Sequence, residues 1–379
     1  MNPRERVLTA LNHKEPDRVP YDLDGANQSG IHHLAYRNLL FYLGIRKDEF
    51  ATRDVIQQLA CVHEDVLEKL KVDTRVIYPR NPSEWELKIQ EDGEGKYFIG
   101  QYGIRWTMHK GGFYFDPTGH PLIEGTIEEL NNHRFPNPLD PKRVEGLKEI
   151  AKNFRARDFF VNMVNISGGF FELPFWLRGF ENFFCDLAGN TKYACALMDK
   201  LLEIEMAYWN LVLRELGDYI DVALTANDLG EQRGPIISPS MYRKYIKPRQ
   251  KKLNSFIKKK KPSIFIYLHS CGSIYDLIPD LIETGVDIIN PIQVSAAKMD
   301  TKRLKKEFGD VLTFWGGIDT QRVLPHGGPQ EVKDEVKRRI DDLASGGGFV
   351  FAPVHNIQAD VPPENIMAMW ETLQEYGKY

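Results

Sequence analysis

The sequence predicts an α/β protein, a single (β/α)8 barrel over residues 1–379 with an antiparallel insertion near residues 80–125. Three observations carry this. Short β-branched and aromatic runs alternate with amphipathic helical stretches, the pattern of a parallel sheet. The runs number eight, at 19–23, 74–79, 160–167, 219–226, 263–270, 286–292, 311–318 and 348–354. No GxGxxG fingerprint, internal repeat or long Pro/Gly/Ser linker argues for a dinucleotide-binding fold or a second domain.

Taken in order, VPYDL supplies the first strand, and DVIQQLACVHEDVLEKL (54–70) reads as a helix that uses Cys61 as a small core residue. TRVIYP is the second strand. The stretch EWELKIQEDGEGKYFIGQYGIRWTMHKGGFYFDPTGHPL then alternates like an antiparallel meander, an insertion placed to cover the barrel mouth. FVNMVNIS follows as strand three, and a long helix, NTKYACALMDKLLEIEMAYWNLVLRELG, carries Cys195. After strand four, YIDVALTA, Ser238-Pro239 opens a helix with a capping hydroxyl and a first-turn proline. That helix closes on four lysines (258–261), which complement its dipole and are solvated. SIFIYLHS, VDIINPI, VLTFWGGI and GFVFAPV complete the strands. SIYDLIPDLIETG, TKRLKKEFG and PQEVKDEVKRRIDDLASGG are the helices between them.

Bulk properties exclude several functions. Apolar residues make up 42% and charged residues 27%, with a net charge of −4, so no basic field points to nucleic acid or an anionic membrane. The N-terminal stretch lacks the apolar core of a signal peptide, and no run approaches a membrane span, which predicts a cytoplasmic protein. Cys61, Cys185, Cys195 and Cys271 show no disulfide-framework spacing. Only Cys271 has polar company.

Chemistry in such a barrel sits at the C-terminal ends of the strands. Strand four ends in Asn227-Asp228-Leu229-Gly230-Glu231-Gln232 and strand five in His269-Ser270-Cys271-Gly272. Strand six ends in Asn290-Pro291-Ile292-Gln293, strand seven in Gly316-Gly317-Ile318-Asp319, and strand eight in His355-Asn356. Residues two apart on a strand share a face, so His269 and Cys271 point the same way. With His355 they make an N/S donor set suited to zinc with one open position. The alternative is a hydrogen-bonded barrel mouth with an inert thiol.

The segments RERVLTALNHKEPDRVP, His269-Ser270-Cys271-Gly272 and WGGIDTQRVLP resemble the uroporphyrinogen decarboxylase superfamily, over nearly the whole chain. FELPFWLRGFENFFCDL, NDLGEQRGPIISPSMYRKYIKPR and VHNIQADVPPENI resemble its corrinoid-dependent methyltransferase branch, closest to the anaerobic O-demethylase-like proteins. The resemblance implies a zinc enzyme working with the cobalamin of a separate corrinoid protein on a small-molecule methyl donor. Two departures matter. The arginine-rich motif that holds tetrapyrrole carboxylates in decarboxylases is replaced by VPYDLDGANQSGIHHLAYRNLL. The zinc thiol-methyltransferases resemble His-x-Cys followed by a distant Cys, where His355 stands here. A neutral imidazole in place of a thiolate makes the zinc a stronger Lewis acid, suited to a leaving aryl-ether oxygen and hence to O-demethylation.

The expected metal ligands are therefore His269, Cys271 and His355. Glu231 is the candidate fourth ligand or proton-handling group, or else a loop residue capping the helix at 238. Asp228 is the other candidate for a fourth ligand, or an orienting acceptor for a metal-bound imidazole. Asn227, Gln232, Asn290 and Asp319 are candidate substrate contacts, each with an alternative role in satisfying loop backbone or capping a helix. Trp315 and Tyr267, with Phe170, Phe171 and Trp176, are the candidate aromatic wall, or core. The other functional readings are a metal-independent uroporphyrinogen-type decarboxylase and a catalytically silent binding subunit of a methyl-transfer complex.

Overall fold

The computed structural model describes residues 1–47 and 49–379. A small antiparallel pair, β1 (Thr52–Asp54) and β2 (Leu59–Ala60), precedes the first barrel strand, β3 (Thr74–Ile77). The insertion forms a four-stranded antiparallel sheet of β4 (Gln90–Glu91), β5 (Gly95–Ile99), β6 (Arg105–His109) and β7 (Asp116–Gly119). The remaining strands are β8 (Phe160–Val164), β9 (Val222–Ala226), β10 (Phe265–His269), β11 (Ile288–Asn290), β12 (Thr313–Trp315) and β13 (Phe349–Val350). With β3 they make a seven-stranded parallel sheet in consecutive order.

The eighth stave is the segment predicted as strand one. It survives only as an isolated parallel bridge, Tyr21 to Phe351. Phe351 N–H donates to the Pro20 carbonyl and Asp22 N–H to the Phe351 carbonyl, both at 2.9 Å, while Asp73 N–H reaches Tyr21 O from the other side at 2.9 Å. These bonds join β13 to β3 and close the ring. Pro20 has no N–H to donate, and Asp24 takes a positive φ of 60°, so a regular ladder cannot form there.

Tyr267 and Trp315, expected as an aromatic wall, instead fill the barrel lumen. Their rings lie 5.5 Å apart, and both are buried with Phe160, Val222, Leu224 and Ile288. Trp315 Nε1 donates to Asp22 Oδ2 at 2.8 Å. Inward-facing strand residues must pack on one another in a barrel of this size, which leaves large rings at those positions no route to a ligand. Phe170 and Phe171 are core as well. The helix Pro3–Leu11 contributes Val7 and Leu11 to the same cluster.

The helix read over 54–70 shrinks to Glu64–Lys69. Asp54 Oδ1 accepts from Gln57 N–H at 2.8 Å and turns the chain into the β1–β2 hairpin, so Cys61 lies outside any helix. Ser238 caps its helix as expected, accepting from Met241 N–H at 3.2 Å. Among the described residues, no helix is long and apolar enough to cross a membrane.

The long helix Thr191–Leu216 buries Glu205 behind β8, facing Trp209 and Asn165. Burial pushes its carboxyl from 4.5 up to about 8. The folded protein therefore holds a proton that the unfolded chain has lost between those two pH values, and wild-type stability falls as pH rises through that window. Glu205→Gln is expected to match wild type near pH 4.5 and to exceed it by a few kcal/mol near pH 8. Urea denaturation of both proteins across this range checks it.

Candidate metal centre

The loops following β9 and β10 pack backbone to backbone. Gly272 has φ +80°, and a Cβ built on it would sit 2.3 Å from the Gly230 carbonyl carbon, so glycine is required where the two loops cross. Gln293 Oε1 accepts from Gly272 N–H at 2.7 Å, and Asp228 Oδ1 accepts from Cys271 N–H at 2.8 Å. Together these contacts fix the direction of the Cys271 side chain.

His269, Cys271 and His355 each offer one ligand atom, and the three atoms lie within 4.8 Å of one another. Cys271 Sγ is 3.4 Å from His269 Nε2. Each imidazole is anchored through its other nitrogen. Asn290 Nδ2 donates to the Trp315 carbonyl at 3.0 Å, which turns Asn290 Oδ1 to His269 Nδ1 at 2.7 Å. Asn356 Nδ2 donates to Gln57 Oε1 at 2.5 Å, which turns Asn356 Oδ1 to His355 Nδ1 at 3.0 Å. An amide oxygen can only accept, so Nδ1 of each ring carries a hydrogen, the tautomer that leaves Nε2 as the atom available to a ligand. Burial and the neighbouring His269 ring push His355 down, toward its neutral form. Burial, followed by the Asp228 and Glu172 charges, pushes the Cys271 thiol up, so a metal would displace its proton on binding.

Of the other residues expected at the site, Asp228 is present, its Oδ1 lying 3.8 Å from His269 Nε2. Glu231 is not. Its N–H donates to the Gly234 carbonyl at 2.8 Å and Gly230 bridges Pro235, so a tight turn carries its side chain outward, exposed and accepting from Arg233 N–H. Gln232 is exposed on the same turn, 3.3 Å from Gln321. Asn290 is an anchor for His269 rather than a substrate contact. Asp319 accepts from Gln321 and Arg322 N–H groups, the turn-capping alternative. Asn227 is fully buried and accepts from Phe171 N–H at 2.8 Å.

That last bond positions a residue the strand-end reading passed over. The helix Gly169–Arg178 starts so close to β9 that a Cβ at Gly169 would lie 1.7 Å from the Ala226 carbonyl oxygen. Its first turn carries Glu172 into the same cleft as Asp228, His269 and His355. Burial and the facing Asp228 carboxylate push Glu172 well up, toward its protonated form. The signal was its place just after strand three, in GGFFELPFW.

The cleft has a volume of ≈ 560 Å³, within the range of small-molecule sites. Trp176 is the one member of the expected aromatic wall that lines it. Tyr78, just after β3, lines it too, and the insertion adds Trp85, Phe98, Tyr102 and Trp106. Trp106 and Trp176 meet edge to face at 5.3 Å.

A parallel barrel with donor groups gathered at the C-terminal ends of its strands is the scaffold of a small-molecule enzyme. The chain belongs to the uroporphyrinogen decarboxylase (URO-D) family, whose model matches residues 102–376. It is 23% identical to the uroporphyrinogen decarboxylase of Geobacter sulfurreducens over 268 residues, covering 68% of this chain and 72% of that protein. The Trichlorobacter lovleyi enzyme is 26% identical over 283 residues, with 70% and 76% coverage. Among solved structures, a methyltransferase from Methanosarcina mazei shares the fold across 99% of both chains, with a TM-score of 0.66 and 19% identity.

Proposed function

We propose that this chain is a zinc-dependent methyltransferase that moves a methyl group from a methoxylated aromatic to the cob(I)alamin of a separate corrinoid protein. The observation that carries the reading is the convergence of the His269, Cys271 and His355 ligand atoms within 4.8 Å, with His269 and His355 lining an aromatic cleft. The donor set fits zinc: two imidazoles with free Nε2 lone pairs, one thiol, and room for a fourth ligand. Bound there, zinc supplies Lewis acidity toward the ether oxygen. Asn290 and Asn356 hold the imidazoles in the required tautomer. Glu172 holds a proton inside the cleft for the departing oxygen, and the Trp106 and Trp176 faces orient the ring. The fold shared with the Methanosarcina mazei methyltransferase is consistent with this reading.

The names of the sequence relatives favour a second reading, decarboxylation of a tetrapyrrole. Cleft chemistry opposes it. Arg53 is the one arginine or lysine among the described cleft residues, and its Nη2 is already 2.6 Å from Asp24. A substrate with many carboxylates would lack cationic partners. The experiment is metal analysis of the purified protein, followed by methyl transfer from 2-methoxyphenol to a cob(I)alamin carrier protein before and after chelation. Near-stoichiometric zinc, and activity that chelation abolishes and added zinc restores, are expected. Metal-free protein that decarboxylates uroporphyrinogen would transfer the assignment to the second reading.

A further inference from the structure

The two imidazoles of the donor set are held by amides, and the two amides are fixed in different ways. A side-chain amide presents oxygen or nitrogen with nearly the same shape, so something beyond it must decide which end faces the ring. For His269 the decision is immediate. Asn290 Nδ2 faces the backbone carbonyl of Trp315, which can only accept. For His355 it is remote. Gln57 meets Asn356 Nδ2 through its Oε1, but it is itself an amide and could serve a reversed Asn356 by turning over as well. Gln358 settles the choice. Its Nε2 donates to the backbone carbonyl of Asn356 at 3.0 Å, and the same nitrogen donates to Asn356 Oδ1. With Gln358 so placed, Asn356 must turn its oxygen to the ring, which puts a hydrogen on His355 Nδ1. On its far side Gln358 Oε1 accepts from the hydroxyl of Tyr114, between β6 and β7 of the insertion. The next residue, Phe115, donates its N–H to the Ile56 carbonyl at 2.9 Å, in the hairpin turn that also carries Gln57.

We propose that Gln358 is a positioning residue that sets the tautomer of His355, and that Tyr114 makes this setting depend on the insertion. Reversal of Asn356 would place Nδ2 against His355 Nδ1, which must then accept. The ring hydrogen would sit on Nε2, the atom a metal needs. The inference rests on the zinc reading only for that last consequence.

Its test therefore begins with metal-free protein carrying isotope-labelled histidine, at about pH 8, above the ordinary imidazole range. Nitrogen chemical shifts distinguish the two neutral tautomers, and His355→Asn and His269→Asn variants assign the signals. Wild type is expected to show both rings in the Nδ1–H form. Gln358→Met, close in shape but without the amide, is expected to move a large share of His355 to the Nε2–H form. His269, fixed by the Trp315 carbonyl, should stay unchanged, whereas a general loosening of the fold would move both. Tyr114→Phe removes one hydroxyl and keeps the proposal testable if Gln358→Met does not fold. It is expected to give a smaller shift in the same direction. Competition with a chromophoric chelator then reads the metal: zinc should bind about tenfold more weakly to Gln358→Met and about threefold more weakly to Tyr114→Phe. His355 unchanged in the folded variants, both rings shifted together, or wild-type His355 already in the Nε2–H form would each overturn the proposal. A tautomer shift in protein that binds no zinc at all would uphold it and count against the zinc reading alone.

Discussion

Cys271→Ala is expected to leave the purified protein with less than about a tenth of the wild-type zinc and to lower methyl transfer by about 10³-fold or more. The thiolate is the one anionic donor in the set, and without it two neutral imidazoles must hold a dication. His269→Ala and His355→Ala are expected to lose metal as well, since each removes one of three protein ligands. Glu172→Gln is the informative control. The amide cannot deliver a proton, so the rate should fall about 10²–10⁴-fold while zinc content stays near that of wild type. Metal analysis beside single-turnover assays separates the two classes. Zinc retained in all three ligand variants would end the proposal.

Asp73→Ala is expected to destabilise the fold by about 3–5 kcal/mol, with the site residues untouched. Asp73 is buried at the start of the ring, where it accepts from Arg6 Nη1 at 2.6 Å, from Arg18 Nη1 at 2.8 Å and from Tyr21 N–H at 2.8 Å. It thereby ties the N-terminal helix and the irregular eighth stave to β3. Its removal would leave two poorly hydrated guanidinium groups and an unpaired N–H at the point where regular strand pairing is already missing. Urea unfolding of Asp73→Ala, with Asp73→Asn as a milder companion, measures the loss. A change below about 1 kcal/mol would show that Arg18 and Arg6 are adequately served by other partners.

The parallel sheet was readable because buried strands announce themselves as dense β-branched runs, and seven of the eight expected runs contain regular strands. The first did not, because a single proline and a left-handed aspartate outweigh the apolar pattern around them. The convergence of His269, Cys271 and His355 was readable for a different reason. His269 and Cys271 share one strand, so their common direction follows from the two-residue period alone, and His355 needed only the rule that active groups sit at strand ends. Glu231 was misread because a tight turn reverses the chain within four residues, and no periodicity marks which way such a turn points. Asn290 carried a polar signal whose partner, His269, lies on the neighbouring strand, and Asn356 is braced by Gln57 from the β1–β2 turn. Most of the aromatic residues lining the cleft come from the insertion, whose packing against the barrel has no sequence rule.

The two asparagine-anchored imidazoles have a kinetic consequence. On the proposed zinc reading, neither ring need rotate when an ion arrives, so capture would proceed without reorienting those donors, and their grip on the ion would depend on the amides behind them. The residence time of a zinc ion held as proposed would thus be governed by residues that never touch it.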